Sequence, residues 1–259
     1  MSVDRRTGAG LWLFVALAAV AAAIFVRLGI WQLHRLAERR ASNAIIASRL
    51  DSAVVDAAAL PRDTALARFR RVRVTGAADY AHELIFAARS YRGSPGVELL
   101  TPVRTPGRDT AVIVDRGWVY APDGATIDSI KWREPDTTFA GYAEAFPSTA
   151  GATYSGHPRI ISRLSYAVVS RALPYPVAPM YVVELGDSAV AVNRVARLGI
   201  PPLDEGPHFN YAIQWFAFAA VSIAGAAVVV RQSRQGRSAT IVPPPLPRTS
   251  ERGARDGTN

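Results

Sequence analysis

The chain has 259 residues, 49% of them hydrophobic, and 30 Lys+Arg against 21 Asp+Glu give a formal net charge of +9. It has no cysteine, which excludes disulfides, thiol catalysis, covalent c-type haem attachment and thiolate metal sites; a bound metal would need nitrogen or oxygen ligands, with imidazole available from His34, His82, His157 and His208. Lys131 stands alone among arginines and no aromatic–basic binding motif accompanies them, so the charge is read as membrane-flanking and no nucleic-acid partner is expected.

Residues 1–10 are read as a short cytoplasmic N-terminus, with Arg5 and Arg6 just ahead of an apolar run. That run extends from Leu11 to Val26, resumes after Arg27 and ends at Leu33, so 11–33 is expected to be a first transmembrane helix. A cleaved signal peptide with Ala21-Ala22-Ala23 as its cleavage site competes, but the apolar pattern runs on past the alanines to spanning length. Arg27 lies about 9 Å down the helix from Leu33. An arginine there either snorkels or meets an anionic partner inside the membrane, from a neighbouring protein or a ligand.

Residues 34–207 are expected to form a β-rich α+β domain outside the cytoplasm. Gln32 to Leu50 keeps a helical pattern, and a short helical piece is expected near Asp56 to Leu60. Arg71 to Thr75 alternates with period two, and Glu83 to Ala88, Val97 to Arg104, Ala111 to Tyr120, Thr137 to Ala145 and Met180 to Leu185 read as further strands. Gly93-Ser94-Pro95-Gly96 and Thr105-Pro106-Gly107 separate some of these. Residues 147–160 are expected to be a loop, Ser162 to Ala172 a helix that Pro174 to Pro179 stops. His208 to Val230 is uncharged and about 35 Å long as a helix, which makes 208–230 a second transmembrane helix. The basic, proline-bearing segment 231–259 is expected to be a disordered cytoplasmic tail.

Arg5 and Arg6 before the first span and Arg231, Arg234 and Arg237 after the second place both ends in the cytoplasm, although Arg35, Arg39 and Arg40 argue the other way. The expected location is a bacterial inner (plasma) membrane, crossed twice, with the central domain on the periplasmic side. No Gly-x-Ser-x-Gly, His-Glu-x-x-His or phosphate-cradling loop occurs, and no enzyme activity is expected. His82-Glu83 and Ser155-Gly156-His157 read as loop or strand-surface residues. Asp115-Arg116-Gly117-Trp118 reads as an ion pair and a turn glycine ending a strand.

The chemistry gathers at the membrane edge. Leu28-Gly29-Ile30-Trp31-Gln32-Leu33-His34-Arg35 closes the first span, and Pro207-His208-Phe209-Asn210-Tyr211-Ala212-Ile213-Gln214-Trp215-Phe216 opens the second at the same face. Pro207 suits the first helical position, and His208, Tyr211 and Trp215 fall along one helix side, with Gln214 beside them. Packed antiparallel, the two ends would make an aromatic, imidazole-bearing cleft able to take a flat macrocycle, with histidine as axial ligand and arginines or free N–H groups near its carboxylates. An interfacial aromatic belt with a helix-start histidine is the plainer reading.

These motifs, together with Val112-Ile113-Val114-Asp115-Arg116-Gly117-Trp118-Val119, carry a resemblance to the Surfeit locus protein 1 family of cytochrome c oxidase assembly factors. The resemblance implies two transmembrane helices around an outer α/β domain, and transient binding of haem a for insertion into oxidase subunit I. His208 matches the histidine implied as the haem and metal ligand. Trp31, Gln32, Arg116, Trp118 and Trp215 match motif positions; Tyr211 and Gln214 belong to the same motif, whereas Arg27 and His34 enter only as neighbours. The partners implied are cytochrome c oxidase subunit I and the membrane lipid, with haem A synthase as a further candidate. A cofactor-free scaffold that stabilises subunit I is the alternative.

Overall fold

The computed structural model describes residues 3–154, 156–186 and 194–239 and divides into two compact units. One joins residues up to Arg40 with those from Glu205 onward; the other is Ala41–Asp204.

Helix α1, Val3–Leu50, and the C-terminal helix, His208–Ala239, carry the two apolar stretches, and each is long and apolar enough to cross a membrane. In the first unit these helices meet through small residues. Ala22, Gly29, Ala212 and Ala219 are buried among otherwise exposed Leu, Ile and Val. A methyl group on Gly29 would stand 2.7 Å from the Phe216 ring, so the glycine sets how closely the helices approach. Beside it, Phe25 stacks on Trp215 with ring centroids 5.8 Å apart, and Phe218 closes the cluster at 5.7 Å from Phe25. Trp12 and Trp31 are exposed on α1, 19 residues or about 28 Å apart, close to the thickness of a bilayer core.

Past Leu33, α1 continues unbroken because no proline or glycine interrupts it and Leu36 extends its buried stripe. Arg40 forms a two-pronged ion pair with Glu205, 2.7 and 2.8 Å. The C-terminal helix also outlasts the uncharged segment. Gln, Ser, Arg and Ala are tolerated helix residues, so the chain stays helical through Ala239 where a disordered tail was expected from 231. Residues 240–259 of that tail lie outside the described residues.

The second unit is a mixed sheet. Its strands are β1 (Val55–Asp56), β2 (Arg71–Thr75), β3 (Ala77–Ala78), β4 (Leu84–Tyr91), β5 (Ser94–Arg104), β6 (Ala111–Tyr120), β7 (Thr138–Ala145), β8 (Ala152–Tyr154), β9 (His157–Arg163) and β10 (Val177–Glu184). They lie in the order β1-β2-β7-β10-β6-β5-β4-β9-β8, with β3 against β5; β1–β2, β6–β10 and β4–β9 pair in parallel. Two short helices complete it, α2 (Thr64–Ala67) and α3 (Tyr166–Ala172), so the C-terminal helix is α4.

Three boundaries differ from expectation. Ser94 to Gly96 does not separate strands but begins β5, pairing with Tyr91, Ser90 and Arg89, while the turn is made at Arg92-Gly93 with both φ angles positive. The expected loop at 147–160 contains β8 and the start of β9, and Ser162 and Arg163 belong to β9 instead of a helix. Parallel pairing of Ile85 and Phe86 with Ile160 and Ile161 makes that strand, a tertiary cause invisible to local composition. Helix α3 starts only at Tyr166, where Ser165 caps it by accepting from the Val168 N–H.

Strand β6 runs through the sheet's middle and is buried on both faces. Val114 joins Val74, Val103, Phe139 and Val182 in one apolar cluster. Ile113 joins Leu84, Leu100, Ile161 and Val169 of α3 in another. The last turns of α1 belong to this unit too: Leu50, with Ile46 beside it, packs with Phe69, Tyr142 and Val183, and Asn43 Nδ2 donates to the Leu203 and Asp204 carbonyls.

Candidate functional site

At the start of α4, Gly206 turns the chain with φ +68°, and the Pro207 carbonyl accepts the Tyr211 N–H at 3.1 Å. Pro207 therefore precedes the helix instead of filling its first position, and His208 is the first helical residue. Its side chain is half-buried and turned toward α1, where Gln32 is 8% exposed. His208 Nδ1 lies 2.8 Å from Gln32 Oε1. An amide oxygen only accepts, so Nδ1 is the donor in this bond, and in a neutral ring that leaves the lone pair on Nε2. The same bond fixes the imidazole plane, as the outer partner of a metal-binding histidine does. The Nε2 edge faces Gly206, which has no side chain to cover it.

The helix pair thus joins Gln32 to His208 and Trp215 to Phe25 and Phe218. It does not draw the other named residues into that contact. Trp31 is 52% exposed, Tyr211 is 47% exposed, and Gln214 and Arg27 are also exposed. Among the described residues, neither Arg27 nor His34 has an ion pair or hydrogen bond through its side chain. Phe25 and Gly29 were missed in the sequence, though the buried stripe Ala22-Phe25-Gly29-Gln32-Leu36 has the spacing of a packed helix face.

The second unit holds an ionic network the sequence reading did not foresee. Arg116 is fully buried, and its guanidinium donates to Glu83 (2.6 Å), Thr101 Oγ1 (2.7 Å), the Trp132 carbonyl (2.6 Å) and Glu134 (2.9 Å). Arg197 bonds Glu134 at 3.0 Å, donates to the Arg116 carbonyl and stands 3.3 Å from Glu184. Burial pushes Glu184 up to about 7, against the pull of Arg197. Glu83 is buried against Arg116, not a surface residue. Asp115 and Arg116 are not paired with each other: strand alternation sends them to opposite faces. Gly117 is no turn residue either. It lies within β6 at φ +117°, where a methyl group would stand 2.3 Å from the Ala196 carbonyl oxygen.

His82 Nδ1 lies 2.8 Å from Asp79, which also accepts from Tyr175. Among the described residues no three His, Asp or Glu side chains converge as a metal site. A haem iron would ask for less, a single imidazole nitrogen on one side, which a neutral His208 donating from Nδ1 would leave at Nε2.

A model of the SURF1 family matches residues 19–220 of the chain. SURF1-like proteins of Mycobacterium bovis and Mycobacterium tuberculosis are each 29% identical to it over 260 residues, covering 95% of this chain and 94% of theirs.

Proposed function

The chain belongs to the SURF1 family, and from that premise we propose that it is a membrane assembly factor for cytochrome c oxidase which binds haem a through His208 and assists its insertion into subunit I. The observation that carries this reading is the His208–Gln32 bond. An imidazole with its outward nitrogen unprotonated and its plane held by a buried amide is a prepared axial ligand. An iron-bound macrocycle would supply the oxidase with its redox centre; this protein's part is to hold it and keep it from solvent. Trp31 and Tyr211, exposed beside that end of the pair, offer aromatic surface for the porphyrin face, and Gln214 a polar contact for its edge. Arg27, exposed on α1 without a protein anion among the described residues, is a candidate counter-charge for a propionate.

We also place the protein in a bacterial inner membrane, with Ala41–Asp204 on the outer side and both ends in the cytoplasm, on the arginines flanking the spans. Subunit I is the expected partner, and haem A synthase a donor consistent with the cargo.

The test is an absorption spectrum of the detergent-purified protein, co-expressed with a haem A pathway, beside His208→Ala. A Soret band and a red-shifted α-band lost in the variant are expected. No band in either protein, with haem A verified in the membranes, would end the haem-binding reading and leave a cofactor-free scaffold.

A further inference from the structure

A cavity of about 600 Å³ opens on the Ile113–Asp115 face of the sheet. Its charged lining comprises Arg68, Arg89, Glu98, Asp115 and Glu144. Four of these are already matched: Arg89 Nε donates to Glu98 at 2.9 Å, and Arg68 pairs with Glu144. Asp115 is the unmatched group. It is 3% exposed, one of its oxygens accepts the Gly117 N–H at 3.0 Å, and among the described residues the other oxygen has no hydrogen bond.

The surroundings select the sign of a guest. Glu98, brought to the same cavity by a β-bulge opposite Asp115, is held by Arg89, so the unspent group is the Asp115 oxygen, an acceptor that suits a donor and not an anion. Phe86, Tyr142, Phe146 and Tyr181 supply aromatic walls, and cation–aromatic contact already occurs there between Arg89 and Phe86, with the guanidinium carbon 4.5 Å from the ring centre. Neither Tyr142 nor Tyr181 spends its hydroxyl on a protein partner among the described residues, so both remain as donors or acceptors.

We propose that this cavity is a binding site for a single organic cation, an alkylguanidinium or alkylammonium group that ion-pairs with Asp115 between the aromatic walls. The site lies within the sheet unit and its purpose is recognition, of a basic side chain or a free amine. Burial, and then the nearby charge of Glu98, hold the Asp115 carboxyl well above its usual range when no cation is present, with Glu184 opposing and Arg89 favouring ionisation. Glu144 and Arg68, which also line the cavity, are held as a pair. A cation entering favours the ionised form of Asp115 and so shifts its equilibrium toward proton release, which gives the binding a direction to read.

The experiment is calorimetric titration of the full-length protein in detergent at pH 7 with N-acetyl-arginine N-methylamide, its uncharged citrulline analogue, and agmatine, each in two buffers of different ionisation heat. Saturable binding of an arginine-type probe, with proton release and not uptake, is expected. The citrulline analogue should bind about tenfold more weakly or not at all. A preference for the amide over agmatine would point to a peptide-borne side chain, and the reverse to a free amine; either supports the cation site. Asp115→Asn mimics the neutral acid and keeps the Gly117 bond, so it should fold and melt like the parent while losing binding about tenfold. Equal binding of the citrulline analogue, binding with proton uptake, undiminished binding by Asp115→Asn, or no binding of any probe at 50 mM (about the weakest range expected of a fragment) would each overturn the proposal.

Discussion

Arg116 sits where a positive charge has no water to return to, and three protein oxygen partners besides Glu83 depend on its position. Replacing it with leucine would leave Glu83 and Glu134 facing one another without their shared cation. Breaking a buried pair from one side costs about 3–5 kcal/mol, so Arg116→Leu should lower the denaturation midpoint of the sheet unit sharply; an unchanged midpoint would mean the network is idle. The sign at Glu184 runs the other way. Its folded value, about 7, lies above the ordinary 4.5, so the folded state holds the extra proton and stability falls as pH rises between those values. Glu184→Gln should flatten that fall in denaturant titrations from pH 4.5 to 8 and leave the neutral-pH protein no less stable. At this scale the sequence was least legible. Asp115 next to Arg116 invites a local ion pair, and only the strand's alternation shows that each answers to a different face. The partner Glu83 lies 33 positions away in the chain, and no periodicity announces such a bond.

The helix pair shows what spacing does reveal. Two apolar runs of spanning length were plain from composition, and α1 and α4 follow them. The element ends were harder, because arginine and glutamine are good helix formers, so the end of the apolar run does not mark the end of α4. Strand β2 announced itself by period-two alternation, and β5, β6 and β7 fall in runs that read as strands, whereas β8 and β9 are built from Thr-, Pro- and Arg-bearing sequence and exist because β4 offers an edge. Within the pair, Gly29 is the element-level test. Gly29→Leu must push the Phe216 ring away and part the helices near Gln32 and His208. The expected result is weaker haem retention with near-normal stability of the sheet unit; retention like the parent's would show that the close approach has no part in the site.

In chain order a sheet domain lies between two apolar helices, and the residues that carry the family resemblance lie in α1, in β6 and at the start of α4. The lack of cysteine makes membrane orientation directly measurable. Ser52→Cys in the sheet unit should react with a membrane-impermeant maleimide in intact spheroplasts, and Gln235→Cys, at the far end of α4, only after permeabilisation. The reverse pattern would invert the proposed topology. That His208 would be reached by a partner from α1 was foreseeable from the two Gln- and Trp-bearing motifs; that the partner would be Gln32, and that Trp215 would turn to Phe25, required the helix phases. The central claim is that His208 itself ligates haem iron. It is tested most directly by His208→Gly, purified from haem A-producing cells, with and without added imidazole. Loss of the bands and their return with imidazole is the predicted result, since the cavity left by the ring would admit a free ligand. Bands that persist in His208→Gly without imidazole would contradict it.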